Sequence, residues 1–399
     1  MQDLLGRPFR ANPAYELVLW DRLEPAERTS LERLREDPEL YGVLRPRRGS
    51  GAAAPVADAA PGLKAVDRDT ALLFLTLREP GALPAYVRAV LGAAAGRTIG
   101  RLVADGVLEV EREGAFVHGA AAFELRRQPG EDAADAADAG GHLAALSLAA
   151  LRYGAVLGVD DPLRLSSRLY GYNRRPLTPR WQRRLAGAAA VEAFLGIAPG
   201  GVNRPCLDAA WRPSPPSAAW LSWRSRREEK APADPAGGGA TWKLYVSPAP
   251  EALAEAFGAV LAALAAARAP QLKVGAGAAG LLRPDKIVAY FPSFERLAAA
   301  AEAMTARLAG VAAQGVPFTS EIGGDGLLSW GMDPPSTPAA SWDGPMSWRL
   351  WLTHRLARAL ISARSSAEPE PWRFALERAR LEGVDTATWT PAASLWSAG

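Results

Sequence analysis

Cysteine is almost missing from this chain: Cys206 is the only one among 399 residues. That excludes an internal disulfide framework and any cysteine-cluster zinc site. Histidine is nearly as scarce, and His118, His142 and His354 lie too far apart in sequence to form a local metal motif. No metal or cofactor is therefore expected. Long apolar runs of membrane-span character are also lacking. The longest candidate, around Leu253–Ala267, is alanine-rich, contains Glu255 and is followed by Arg268. No apolar core follows a basic start in Met1–Arg10, so no signal peptide is expected and the cytoplasm is the expected location. Lysine is the most telling shortage. Of 46 basic residues only five are lysine: Lys64, Lys230, Lys243, Lys273 and Lys286. Codon bias in an Ala/Arg/Gly/Pro-rich chain accounts for such a count. Yet the last three lysines cluster, and a desolvated lysine can lose its proton and act as a base where arginine cannot.

What is present bounds the class. Hydrophobic residues make up 49% of the chain and charged residues 22%, which excludes a disordered or collagen-like protein. The length allows one large or two to three ordinary domains. A net charge of only +3 gives little general affinity for nucleic acid, and no nucleic-acid partner is expected.

Four stretches have linker composition: Pro46–Gly62, Pro129–Gly141 with its Ala-Ala-Asp pattern, Arg226–Gly239 and Ala363–Pro371. They divide the chain into an N-terminal segment (1–62), a block over 63–127, a helical block over 142–225, a core over 240–362 and a tail over 372–399. In the 63–127 block, Asp67 caps a helix through Leu77. Helices over Tyr86–Ala95 and Thr98–Asp105 follow, then an alternating strand Val107–Glu111, a turn at Glu113-Gly114 and a second strand Ala115–Val117. Three helices and a hairpin form the plan of a winged helix. Such folds bind DNA or peptides. Here Glu109, Glu111 and Glu113 make an acidic wing unsuited to a phosphate backbone. Peptide docking and a purely structural role both remain. The later run Leu169–Pro176, followed by Trp181 and Arg183-Arg184, interleaves basic and aromatic residues. It suits either a phosphorylated ligand or a charged helix–loop face in water.

From Ala240 the periodicity changes. Strands are expected at Thr241–Val246, Gln271–Gly275, Lys286–Phe291 and Pro317–Ile322, and helices at Pro250–Ala267, Phe294–Val311 and Ser347–Ile361. Lys243 and Tyr245 fall on one face of the first strand. The order is α+β or α/β, and the expected architecture is α+β: a mixed sheet with flanking helices, preceded by the winged-helix-like block. The candidate functional groups share one sign: Lys243, Lys273, Arg283, Lys286, Arg349 and Arg355. Gly275-Ala276-Gly277-Ala278-Ala279-Gly280 matches Gly-x-Gly-x-x-Gly, but Arg283-Pro284 leaves no room for the helix a dinucleotide site needs. The residues point to a cationic site for a dianion such as a phosphate monoester, with lysine available as base.

The order Lys-x-Tyr strand, Leu-Lys-Val strand, Arg-x-Asp before an apolar strand ending in Tyr, then Ser-Trp-Arg opening a helix resembles the phosphothreonine/phosphoserine lyases. The nearest variant is the HopA-type effector-like proteins, encoded beside a separate kinase in class V lanthipeptide and thioamitide-type pathways. The resemblance spans Tyr170 to Ile361 and is strongest over Lys243–Phe291. It implies cofactor-free elimination of phosphate from phosphorylated Ser/Thr of a ribosomal precursor peptide, leaving dehydroalanine or dehydrobutyrine. The implied partners are that peptide and a separate phosphotransferase-like kinase, with no membrane. Carried onto this sequence, Lys273 matches the base, and Lys243, Arg283, Arg349 and Arg355 match phosphate-binding cations. Effector lyases carry Lys-x-His on the first strand, where this chain has Lys243-Leu244-Tyr245. The acid is then Tyr245 or, alternatively, His354. That departure leaves open a non-catalytic peptide- or kinase-binding subunit on the same fold.

Overall fold

A computed structural model describes residues 4–31, 40–47, 63–123, 141–215, 217, 219–227, 242–334, 347–365 and 370–392. The chain opens with β1 (Phe9–Ala11), β2 (Tyr15–Leu19), β3 (Leu40–Pro46) and β4 (Lys64–Asp67); the last three form one small antiparallel sheet. The Asp67 carboxylate accepts the backbone N–H of Thr70 at 2.6 Å and so starts the helix Arg68–Thr76. Helices Ala85–Leu91 and Ala95–Ala104 follow, then a hairpin of β5 (Leu108–Arg112) and β6 (Ala115–Val117). Its two turn residues, Glu113 and Gly114, have φ of 53° and 85°. Two left-handed residues in sequence match the right-handed twist of the flanking strands. β1 adds a third strand beside β5, with Phe9 opposite Val110. This is the helix-and-hairpin order expected of a winged helix. One premise changes: Glu109 is buried, and its carboxylate lies between Arg10 Nε at 2.6 Å and His118 Nδ1 at 3.1 Å. The wing is therefore less acidic at its surface than its sequence.

The core sheet contains β7 (Trp211–Pro213), β8 (Trp220–Ser225), β9 (Trp242–Val246), β10 (Gln271–Gly275), β11 (Ile287–Phe291), β12 (Ser320–Ile322) and β13 (Leu328–Met332). Their spatial order is β12-β13-β9-β11-β10-β8-β7. The fold is α+β as expected, and its described strand pairs are all antiparallel. The helix Leu253–Ala266 joins β9 to β10, two strands running the same way, and β11 fills the gap between them. A helical crossover can thus sit on a sheet without a parallel ladder.

Alternation then sorts the side chains. Leu244, Val246, Leu272, Val274, Ile287, Ala289 and Phe291 point to one face and are buried against Phe257, Val260, Leu261 and Leu264 of the first crossover helix. Leu297, Ala300 and Met304 of the helix Phe294–Arg307 join the same core. Each large aliphatic residue so buried contributes about 1.5–3 kcal/mol. The opposite face carries Lys243, Tyr245, Lys273, Val288 and Tyr290.

A helical layer supplies the remaining walls. Helices His142–Val156, Pro162–Tyr170, Trp348–Ser365 and Pro371–Leu381 share a core of Leu165, Leu169, Leu352, Leu356, Leu360 and Phe374. The C-terminal segment is more built-in than a tail: Trp389 is buried and its carbonyl accepts the Trp348 indole N–H at 3.1 Å. Of the linker stretches, residues 48–62, 129–140, 228–239 and 366–369 lie outside the described residues. At the fourth, Ala363–Ser365 continue the preceding helix. Among the described residues no helix is long and apolar enough to cross a membrane.

Candidate functional site

Strand register brings the lysines together. Lys273 on β10 pairs with Ser222 on β8 and Val288 on β11; Val288 pairs with Tyr245 on β9, and Tyr245 with Ser329 on β13. Paired residues of an antiparallel sheet point to the same side, so Lys273 and Tyr245 share a face, two strands apart. The next row places Tyr290 opposite Lys243. The Lys273 ammonium lies 4.5 Å from the Trp220 ring centre and 5.2 Å from that of Tyr290, and Lys243 approaches the same Tyr290 ring at 5.4 Å. The amines differ in partners. Lys243 donates to Asp333 Oδ1 at 2.5 Å, whereas Lys273 has no ion pair among the described residues. Desolvation, and then the charge of Lys243, lower the Lys273 pKa to about 8, with Arg283 adding to the effect against Asp285 and Asp333. A fraction of Lys273 is neutral at physiological pH.

Asp285 organises the other side. Arg283 Nε and Nη2 donate to its two oxygens at 2.9 and 2.8 Å, the Tyr170 hydroxyl donates at 2.8 Å, and Arg349 Nη1 lies 2.9 Å from Oδ2. Burial pushes the carboxyl up, but Arg349, Arg283 and Tyr170 together hold it well below the usual range. Burial, reinforced by the Asp285 charge, raises Tyr170 to about 12. Arg349 is fully buried; its Nε donates to Pro317 O at 3.0 Å and its Nη2 to Tyr170 O at 2.8 Å. Arg283 keeps 19% of its side chain exposed and stacks 4.9 Å from Trp220, the ring that also carries Lys273. Its bonds to Asp285 run from Nε and Nη2, which leaves Nη1 on the far side of the guanidinium.

Tyr245 is buried beside Val288 and Val316. Burial, with the negative influence of Tyr170 and Asp333 added, raises its pKa well above that of a free phenol. It therefore stays protonated and keeps a proton to donate. The late helix splits the other candidates. Arg349 faces Asp285, but His354 lies about 140° and Arg355 about 120° around the helix from it. Arg355 instead pairs with Glu382 Oε2 at 2.6 Å and stacks 3.9 Å from Trp351. The structure thus gathers Lys243, Lys273, Arg283, Arg349 and Tyr245 on or beside one sheet face, and turns Arg355 toward the C-terminal segment.

Asp333 and Trp220 are not singled out by any sequence pattern, and Asp285, Tyr170 and Tyr290 gain roles at the site that the sequence did not assign them. Asp285 and Asp333 contradict the expectation of groups of a single sign, and Tyr170, Trp220 and Tyr290 supply the aromatic floor. Arg283-Pro284-Asp285 held the clue for Asp285, because a proline-stiffened i, i+2 spacing suits a local clamp. Lys286, which its neighbour Asp285 makes look like a paired surface residue, is fully buried and donates to Pro248 O at 2.8 Å and Gln314 Oε1 at 2.7 Å. Burial lowers its pKa to about 7. The Gly-x-Gly-x-x-Gly match serves backbone packing: a Cβ on Gly275 would sit 2.4 Å from the Gly280 carbonyl carbon. Among the described residues no three His, Cys, Asp or Glu side chains converge to hold a metal ion.

No family model matches the chain, and no curated protein matches it. The distantly similar solved structures include two effector proteins. The effector protein from Pseudomonas syringae pv. tomato strain DC3000 is 12% identical, with 62% of this chain and 98% of that one covered and a TM-score of 0.37. The effector protein from Pseudomonas syringae pv. syringae strain 61 is 13% identical over the same shares, also with a TM-score of 0.37.

Proposed function

We propose that this protein is a phospholyase that eliminates phosphate from phosphorylated Ser or Thr of a ribosomal precursor peptide, after a separate kinase has phosphorylated it. The reading rests on Lys273: a half-buried amine with a pKa near 8, without an ion pair among the described residues, seated on two aromatic rings and flanked by cations. In this mechanism neutral Lys273 takes the Cα proton of the phosphorylated residue. The electron pair left behind forms the Cα=Cβ bond as the Cβ–O bond breaks. Arg283 Nη1 and Lys243 hold the departing phosphate, and the Tyr245 phenol protonates its bridging oxygen. Lys243 would exchange Asp333 for the phosphate as substrate enters. Arg349 acts indirectly, by fixing Asp285 and Tyr170. The test is incubation of the purified protein with phosphorylated precursor peptide, kinase and leader present, followed by mass spectrometry. Loss of phosphoric acid supports the reading, and intact phosphopeptide under all these conditions refutes it.

A second reading has its own support. Lys243, Arg283 and Arg349 are all engaged with carboxylates, an arrangement suited to a non-catalytic peptide- or kinase-binding subunit. That reading predicts tight binding of precursor or kinase by both wild type and Lys273→Ala, with no elimination by either.

A further inference from the structure

An open cleft of about 650 Å³ lies beside the Asp285 clamp, lined by Tyr153, Arg168, Tyr172, Asn173, Arg174 and Arg283 among others. Among the described residues three arginines line it and no Asp or Glu does. Arg168 and Arg174 are exposed and make no ion pair among the described residues. Tyr153 and Tyr172 form an aromatic wall, with ring centres 5.4 Å apart. Arg283 is common to the cleft and the Lys273 cluster: it lines the cleft and also lies 4.9 Å from the Trp220 ring, over which Lys273 sits at 4.5 Å.

The loop carrying Tyr172 and Arg174 is fixed in place. Asn173 adopts a left-handed φ of 64°, a conformation asparagine tolerates better than most residues. Its side-chain amide donates to Gln314 O at 2.5 Å and Gly315 O at 3.1 Å. Gln314 returns a bond from Nε2 to Asn173 O and accepts one from buried Lys286. Held this way, the backbone that presents Tyr172 and Arg174 needs no reordering when a ligand binds.

We infer that this cleft binds an acidic segment of the substrate peptide, with Asp or Glu side chains flanking the phosphorylated residue. The inference builds on the proposed phospholyase reading. Surplus cationic charge selects carboxylates, the tyrosine pair covers the aliphatic parts of the same segment, and Arg283 joins the segment to the reacting residue. Lysine or arginine in the flank meets like charge and is disfavoured.

Two measurements separate this inference from the reading it builds on. In the first, fluorescence anisotropy compares unphosphorylated peptides with Glu-rich and Lys-rich flanks. Wild type should bind the Glu-rich peptide at least tenfold more tightly, and Arg168→Glu combined with Arg174→Glu should reverse the preference. Both positions are exposed, and circular dichroism melting checks that the variant folds. In the second, turnover of the matching phosphopeptides should show the same preference in KM rather than in kcat. Charge-selective binding without turnover would uphold the cleft and refute the lyase. Turnover or binding indifferent to flank charge, or unaltered by the double reversal, would overturn the cleft assignment.

Discussion

Arg283 grips Asp285 side-on, Nε and Nη2 each meeting one carboxylate oxygen at 2.9 and 2.8 Å across a single intervening proline. Two further groups converge on the same carboxylate, the Tyr170 hydroxyl and Arg349. Residues from β11's lead-in turn, the end of the Pro162–Tyr170 helix and the Trp348–Ser365 helix are thereby tied to one buried negative charge. The charge that assembles the cationic site is itself an anion.

Asp285→Asn therefore leaves two arginines without their counter-ion. Removing one partner of a buried pair costs about 3–5 kcal/mol, which urea unfolding at neutral pH would register. Because the folded-state pKa of Asp285 is depressed, its contribution is fully present above its unfolded value of ~3.9 and declines as pH falls below that. The gap between wild type and variant should accordingly narrow in acid.

Lys286 has the opposite sign. Its folded-state pKa is lowered to about 7, so between there and ~10.4 the unfolded chain binds the extra proton and stability rises with pH. Wild type should gain stability relative to Lys286→Met from pH 7 to 9. A constant difference across that range would mean that Lys286 keeps its charge.

Gly275→Ala tests the backbone contact with Gly280. Nothing flexible stands there to yield, since the nearest atoms are Gly280 backbone. Overpacking costs about 1–3 kcal/mol. The strain falls where β10 leads to Arg283, so a fall in melting temperature should accompany weaker turnover.

Tyr245 and His354 are the two candidate acids, and the geometry separates them. Tyr245 shares the row of Lys273, two strands away with Val288 between them. Loss of a general acid typically costs about 10²–10⁴-fold, so Tyr245→Phe should slow elimination by at least about a hundredfold in a mass-spectrometric time course. His354→Gln should leave it within a few-fold.

Much of this was legible in the sequence. Alternation in Thr241–Val246 put Lys243 and Tyr245 on one face, and Asp67, Glu113 and Gly114 marked a helix start and a hairpin turn. Local rules govern such features. The carboxylates could not be read in the same way. Asp333 reaches Lys243 from ninety positions away, and Asp285 meets Tyr170 across more than a hundred. Those pairings come from strand order and helix packing, which no local pattern encodes. Lys286 departs from the cation group for the same reason: counted with the others by sign, it turns inward to Gln314 in space. Arg355, grouped with the other cations by sign, belongs to the C-terminal segment because helix rotation carries it away from Arg349.

In the proposed elimination, neutral Lys273 removes the Cα proton. Initial rates of phosphoric acid loss from a phosphorylated precursor, followed by mass spectrometry from pH 6 to 9 for wild type and Lys273→Arg, test it directly. Wild-type rates should climb with pH and level off above about 8, and Lys273→Arg, which keeps the charge but cannot deprotonate, should bind the peptide and eliminate nothing. Elimination by Lys273→Arg at the wild-type rate, with the same pH profile, would contradict it.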